Sequence, residues 1–125
     1  MSFLKTVTPR VRETYSEELV RQVRRALAHL PNVEEKRMFS GISFMVEEKM
    51  CLSVGRAGVM CRIDPATHGE ALQRKGCTTV LMQGREYKGW VRVTEEGMKS
   101  KQDLEYWVQL ALAFNSRASK SPKRA

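Results

Sequence analysis

The stretch Arg37-Met38-Phe39-Ser40-Gly41-Ile42-Ser43-Phe44-Met45-Val46-Glu47-Glu48-Lys49-Met50-Cys51-Leu52-Ser53-Val54-Gly55-Arg56-Ala57-Gly58-Val59-Met60-Cys61-Arg62-Ile63-Asp64 decides the fold. Three apolar runs rich in strand formers are separated by two short breaks, Glu47-Glu48-Lys49 and Gly55-Arg56-Ala57-Gly58, which is the pattern of an antiparallel meander. If Gly55 faces Gly58 across a turn at Arg56-Ala57, the register pairs Val54 with Val59, Leu52 with Cys61 and Met50 with Ile63. All six are apolar, so that face is the core. Ile42, Phe44 and Val46 join it from the first strand. The opposite face carries Met45, Cys51, Ser53, Met60 and Arg62, and alternation then points Cys51 and Cys61 to opposite sides of the sheet.

Outward from the meander the elements follow from local signals. Thr14-Tyr15-Ser16-Glu17 fits a capping box, and Leu19, Val20, Val23, Leu27 and Leu30 recur at helical spacing until Pro31, with Glu17 supporting Arg21. Asp64-Pro65 opens a second helix expected to run to about Lys75, closed by Gly76. Cys77 to Met82 and Tyr87 to Thr94 read as strands around a turn bounded by Gly84 and Gly89, with Val91 and Val93 inward and Lys88, Trp90 and Arg92 outward. Ser100 caps a last helix whose stripe is Leu104, Trp107, Val108, Ala111 and Phe114. The expected class is α+β, in two layers: one five-stranded antiparallel sheet with helices on one face, in the order α-β-β-β-α-β-β-α.

At 125 residues the chain suits one domain with one core. No apolar run approaches a membrane span, and Met1 to Arg12 lacks the apolar core of a secretory signal, so a soluble cytoplasmic protein is expected. The net charge of +8 is unevenly placed. Lys5, Arg10 and Arg12 stand before the first acidic residue, and Arg117, Lys120, Lys123 and Arg124 follow the last, while the body between holds fifteen basic residues against fourteen acidic. This divides the chain into a disordered basic arm over residues 1–13, a domain over 14–116 and a disordered basic tail over 117–125. The seven terminal cations are the candidate polyanion contacts, giving weak, nonspecific nucleic-acid binding as the second functional reading beside a solubilising role. A basic stripe of Arg21, Arg24 and Arg25 on the first helix reads as a solvated face, because no second helix follows at helix-turn-helix spacing.

The chemistry-bearing residues form no motif. Cys51, Cys61 and Cys77 show no zinc-knuckle or redox spacing, and the expectation is free thiols, two in the core and one at the surface. A Cys51 nucleophile with His68 as base is compatible with sequence distance alone, but no nucleophile pattern surrounds either residue, and His68 is expected to be solvated. The loop from Gly84 to Gly89, with Arg85 and Lys88, lacks the helix N-terminus that phosphate cradles use. No catalytic residue, metal or cofactor is therefore expected. Met45, Met60 and Trp90, on the face away from the helices, are the candidate interaction face, and a homodimer through them is the expected assembly.

Glu35-Lys36-Arg37-Met38-Phe39-Ser40-Gly41-Ile42-Ser43-Phe44-Met45 and Gly84-Arg85-Glu86-Tyr87-Lys88-Gly89-Trp90-Val91-Arg92-Val93 resemble the N-terminal domain of the TfoX/Sxy family. The likeness runs from about Tyr15 to Asn115 and includes a final helix with Trp107-Val108 and Ala111-Leu112-Ala113-Phe114. Ser40 stands where members often have a second glycine, and the hairpin turn lacks their common Asn-Gly. The resemblance implies a two-layer fold similar to secretion chaperones, a tendency to dimerise, and a link to competence and transcription regulation. In the fuller regulators, which act as co-activators alongside a cyclic-AMP receptor protein, a second helical domain follows. It transfers no catalytic residues, so the function expected is a small non-enzymatic regulatory or protein-interaction module.

Overall fold

The computed structural model describes residues 14–38 and 40–118. Helix α1 is Glu17–Ala26 and is followed by strands β1 (Val33–Met38), β2 (Gly41–Val46), β3 (Lys49–Gly55) and β4 (Gly58–Arg62). A 3-10 turn at Pro65–Thr67 leads into the short helix α2 (His68–Ala71), then β5 (Cys77–Met82), β6 (Arg85–Val93) and helix α3 (Lys101–Asn115). All strand pairs are antiparallel, in the order β1-β2-β3-β4-β6-β5.

The α+β class and the antiparallel sheet are as the sequence dictates, but the sheet has six strands and not five. The additional strand is β1, which holds the Glu34-Glu35-Lys36 run and pairs along its whole length with β2, from Val33 opposite Val46 to Met38 opposite Gly41. Its four central residues are exposed, so apolar alternation, the usual sign of a strand, is absent. Charged side chains on an edge strand block pairing with other chains, and that same device hides the strand from periodicity. Arg24 of α1 holds β1 in place with two bonds to the Glu35 carboxylate, at 2.6 and 2.8 Å.

The β3–β4 hairpin keeps the expected register from its turn to Leu52: Val54 faces Val59, Leu52 faces Cys61, and Gly55 faces Gly58, but the expected pair of Met50 with Ile63 is not formed, and Met50 lies outside the core cluster. A Cβ on Gly58 would run into the Val93 carbonyl of β6, so only glycine lets β4 approach its neighbour there. Phe44, Leu52, Val54, Val59, Cys61, Ile63, Val91 and Val93 are fully buried. Leu19, Val20 and Val23 of α1, Ala71 of α2, and Trp107, Val108 and Ala111 of α3 join them in one core cluster.

Cys51 departs from the expected alternation. β2 and β3 pair Phe44 with Leu52 but Met45 with Met50, so Cys51 is an extra residue in a bulge. It turns into the core cluster with Cys61 and Cys77, and Met45 and Met50 are buried outside that cluster. The expected opposition of Cys51 and Cys61 is thus removed by one inserted residue.

Helix limits shift where capping competes. Ser16, and not Thr14, caps α1, its Oγ accepting the Leu19 N–H at 3.1 Å, and the helix ends at Ala26, well before Pro31. The acidic partner of Arg21 is Glu18, at 2.6 Å, in place of Glu17. Asp64 caps the next segment as expected, its Oδ1 accepting from the Ala66 N–H at 2.9 Å. The helix it opens is only a 3-10 turn and the four residues of α2. Ser100 caps α3 through the Asp103 N–H at 3.0 Å.

Candidate functional site

The sheet residues singled out in the sequence do not form one open patch. Pairing of Met60 with Arg92 and of Arg62 with Trp90 places these four side by side across β4 and β6. Met60 and Trp90 are half-buried, whereas Met45 is only 6% exposed and contributes almost nothing to the surface. Beside them Ser43 and Ser53 are buried and share an Oγ–Oγ hydrogen bond of 2.9 Å. The Arg62 guanidinium stands 5.3 Å from the centre of the Trp90 ring and 5.7 Å from that of Phe114, joining the sheet to the last turn of α3.

Of the terminal cations, Lys5, Arg10, Arg12, Lys120, Lys123 and Arg124 lie outside the described residues, as does nearly all of the two segments expected to be disordered. Arg117 is described, and it is engaged. Its guanidinium donates to Asp64 Oδ2 at 2.9 Å and lies 5.5 Å from the Phe114 ring centre. The Ala66 N–H and then Arg117 hold the Asp64 carboxyl below its ordinary range.

All three cysteines are free and buried, so none is the surface thiol expected. Burial pushes the Cys51 thiol up to about 12 and Cys77 up to about 11, and raises Cys61 well above its ordinary value with a further push from the other two. A nucleophilic cysteine needs thiolate near neutral pH, and this environment opposes it. No group of three or more His, Cys, Asp or Glu side chains among the described residues could hold a metal ion.

His68 is 3% exposed, and not solvated. Its Nδ1 accepts the Gly89 backbone N–H at 2.9 Å, and its Nε2 lies 3.0 Å from Thr79 Oγ1 and 3.3 Å from Glu86 Oε2. With Nδ1 committed as an acceptor, Nε2 carries the proton of the neutral ring. The ring therefore fastens α2 to the base of the β5–β6 hairpin.

That hairpin is the one expected from the sequence, but its turn is tighter and its second strand starts earlier, at Arg85 in place of Tyr87. β4 pairs with β6 only over Trp90 to Val93, with one more bond from the Ile63 N–H to the Gly89 carbonyl. Arg85 and Glu86 consequently pair with β5 alone, opposite Met82 and Leu81, as the two-stranded tip of the hairpin. Its turn is Gln83-Gly84, both at positive φ, and Gly89 lies inside β6 instead of bounding the turn. Leu81, Met82 and Tyr87 are 62%, 48% and 48% exposed, the large apolar side chains left in solvent among the described residues. The available signal was Gln83-Gly84 itself, a two-residue turn that brings strand right up to Arg85.

Comparison with known proteins adds one relationship. The family model of the TfoX N-terminal domain matches residues 25–115, which takes in the sheet, the hairpin and α3. Searches of curated proteins and of solved structures give no match, so no likeness to secretion chaperones is shown.

Proposed function

The chain belongs to the TfoX N-terminal domain family, and from that premise we propose that it is a small non-enzymatic module that regulates by binding protein, linked to competence or transcription control and acting in the cytoplasm. The observation that carries this reading is a division of labour in the structure. The groups able to do chemistry are withdrawn: three thiols are buried and held protonated, and His68 is committed to a structural bond. Among the described residues, the large apolar groups in solvent are gathered on one hairpin. Exposed apolar side chains concentrated in one place are the usual mark of a partner surface. No described helix is long and apolar enough to cross a membrane.

A homodimer through the surface around Met60 and Trp90 belongs to this proposal, with Met45 supporting it from below. In the native cell, a Leu81→Lys/Tyr87→Lys double variant is expected to be as abundant as wild type and to change the transcript profile as a deletion does. Normal transcripts in the deletion strain would sink the regulatory reading, and turnover of any substrate by the pure protein would sink the non-enzymatic one.

Binding of nucleic acid through the basic termini is the second reading, favoured by the near-neutral body between cationic ends. Arg117 is already paired with Asp64, which leaves six terminal cations for it. Removing residues 1–12 and 118–125 should abolish any binding, and binding by the intact chain should fall steeply with salt. Sequence-specific binding that survives the trimming would refute it.

A further inference from the structure

The two edges of the sheet are built differently. β1 ends one side with Glu34, Glu35, Lys36 and Arg37, all exposed, and is tethered to α1. β5 ends the other with Cys77-Thr78-Thr79-Val80-Leu81-Met82, without one charged side chain. A strand edge presents unpaired N–H and C=O groups, and proteins ordinarily blunt such an edge with charge or with a bulge. Charge is absent from β5, and the bulge lies on the other strand. Thr79 pairs with Val91 and Leu81 with Glu86, so four residues of β6, Tyr87 to Trp90, stand opposite the single residue Val80 while β5 runs on without interruption. Among the described residues no strand pairs with the outer side of β5. The edge is also held rigid, because His68 ties Thr79, Glu86 and Gly89 together at the root of the ribbon.

Charge indicates what would fit there. Lys75 precedes one end of β5, and Arg85 stands opposite Met82 at the other. Both are exposed, and neither forms an ion pair among the described residues. Of the neighbouring charges, Arg74 pairs with Asp103 at 3.6 Å, and the Glu86 carboxylate lies 3.3 Å from Nε2 of the neutral His68 ring. An uncharged strand edge between two cations is complementary to an extended segment with an apolar middle and acidic ends. A second copy of this chain fits worse. Antiparallel pairing of β5 with itself about a two-fold axis would set Lys75 of each chain beside Arg85 of the other, like charge against like at both ends.

We propose that the outer edge of β5, with Leu81, Met82 and Tyr87 beside it, takes up an extended, acid-flanked apolar segment of another protein as a seventh strand of the sheet. Main-chain hydrogen bonds along the edge supply affinity, and the exposed apolar side chains with Lys75 and Arg85 supply selection. A contact of this length buries less than a standard interface, so the complex is transient. The proposal rests on the interaction-module reading above and narrows it to one edge and one ligand chemistry.

The test follows backbone amide resonances of the full chain during titration with a synthetic peptide of alternating valine and threonine bearing aspartates at both ends. The same core with lysines at both ends is the control. The acid-flanked peptide should shift the amides of Cys77–Met82 and slow their exchange, and the lysine-flanked peptide should bind about tenfold more weakly. Lys75→Glu with Arg85→Glu should reverse that preference while leaving the rest of the spectrum in place, since both residues are exposed. Shifts confined to other elements, no shift at all, or indifference to the flanking charge would overturn the proposal. Self-association through β5 in the absence of peptide, seen by sedimentation, would overturn it in favour of the second copy. If the edge is silent while the Leu81→Lys/Tyr87→Lys variant still loses regulation, the module reading stands and only the edge falls. Enzymatic turnover would remove the module reading and leave the peptide measurement valid.

Discussion

The Nδ1 atom of His68 accepts the backbone N–H of Gly89 at 2.9 Å, across twenty-one residues of chain. Gly89 has φ of +95° and is buried, so its N–H has no access to water as a substitute partner. The same ring reaches Thr79 and Glu86 from Nε2, which makes one side chain the joint between α2 and both strands of the hairpin.

Removing that joint should cost more than an ordinary buried hydrogen bond. His68→Ala leaves a buried N–H unsatisfied, a penalty of about 1–3 kcal/mol before any cavity is counted. His68→Asn places an amide oxygen near the position of Nδ1 and should restore part of the loss. Urea unfolding of the two variants checks this. Equal stability of Ala and Asn variants would show that the Gly89 bond contributes nothing, leaving volume as the cause.

The three thiols should be unreactive in the native state. A disulfide-exchange reagent is expected to count no free cysteine in the folded protein and three after denaturation under nonreducing conditions. Stability should also fall in alkali. A thiol raised in the folded state ionises first in the unfolded chain, so above pH of about 8.5 the unfolded chain binds fewer protons and stability decreases with pH. Cys51 contributes fully below that pH and loses its contribution progressively as pH rises to about 12. The slope is about 1.4 kcal/mol per pH unit for one thiol. Cys51→Ala should flatten the curve between pH 9 and 11, within the window Cys51 spans; an unchanged slope would place the alkaline loss on other groups.

The β3–β4 hairpin was legible near its turn because its apolar positions and its two glycines favour one register, and the pairs out to Leu52 with Cys61 are those expected, whereas Met50 with Ile63 is lost beyond the bulge at Cys51. Three features were hidden for separate physical reasons. β1 is an edge strand whose charges serve solubility, and they erase the alternation that identifies strands. Cys51 obeys strict alternation only in a regular ladder, and a bulge opposite Phe44 turns it into the core. The tight turn of the β5–β6 hairpin depends on Gln83 adopting positive φ at +54°, which a non-glycine residue seldom does, so Gln83-Gly84 is a weaker turn signal than Asn-Gly. Alternation places Met60 and Trp90 in neighbouring rungs of β4 and β6, whereas the burial of Met45, 6% exposed, depends on packing that alternation does not report.

Arg117 and Asp64 connect the end of α3 to the start of the segment that carries α2. Arg117→Ala should leave the fold intact and speed amide exchange at residues 114–118, where Phe114 loses the guanidinium over its ring. Asp64→Ala removes the Ala66 cap as well and should be the more destabilising of the two. The carboxyl is lowered in the folded state, so its contribution is present above the ordinary aspartate range and is lost as pH falls through the lowered folded value. Protection of the last turn of α3, taken relative to the intrinsic exchange rate at each pH, should accordingly fall in acid for wild type, and far less for Arg117→Ala. Identical acid profiles would detach the ion pair from the order of that turn.

The proposed dimer is best probed where the surface is accessible and the core is not disturbed. Met60 sits between Ser53 of β3 and Arg92 of β6, half-buried, and Trp90 lies beside Arg62 in the neighbouring rung. Met45 is unsuitable, because at 6% exposure its replacement would report on packing. Met60→Glu with Trp90→Ser should convert a sedimenting dimer into a monomer with an unchanged circular-dichroism spectrum, since a buried tryptophan at an interface centre typically contributes more than about 1 kcal/mol and a desolvated carboxylate opposes association. Trp90→Ser alone also removes the ring under the Arg62 guanidinium, so its effect on stability needs separating from its effect on assembly. Trp90→Phe supplies the separation: it keeps an aromatic face for Arg62 while shortening the group offered to a partner. A folded monomer from the double variant, with Trp90→Phe equally stable but weaker in dimerisation, is the expected pattern. A dimer that persists in the folded double variant would move the contact off this surface, and a monomeric wild type would remove it altogether.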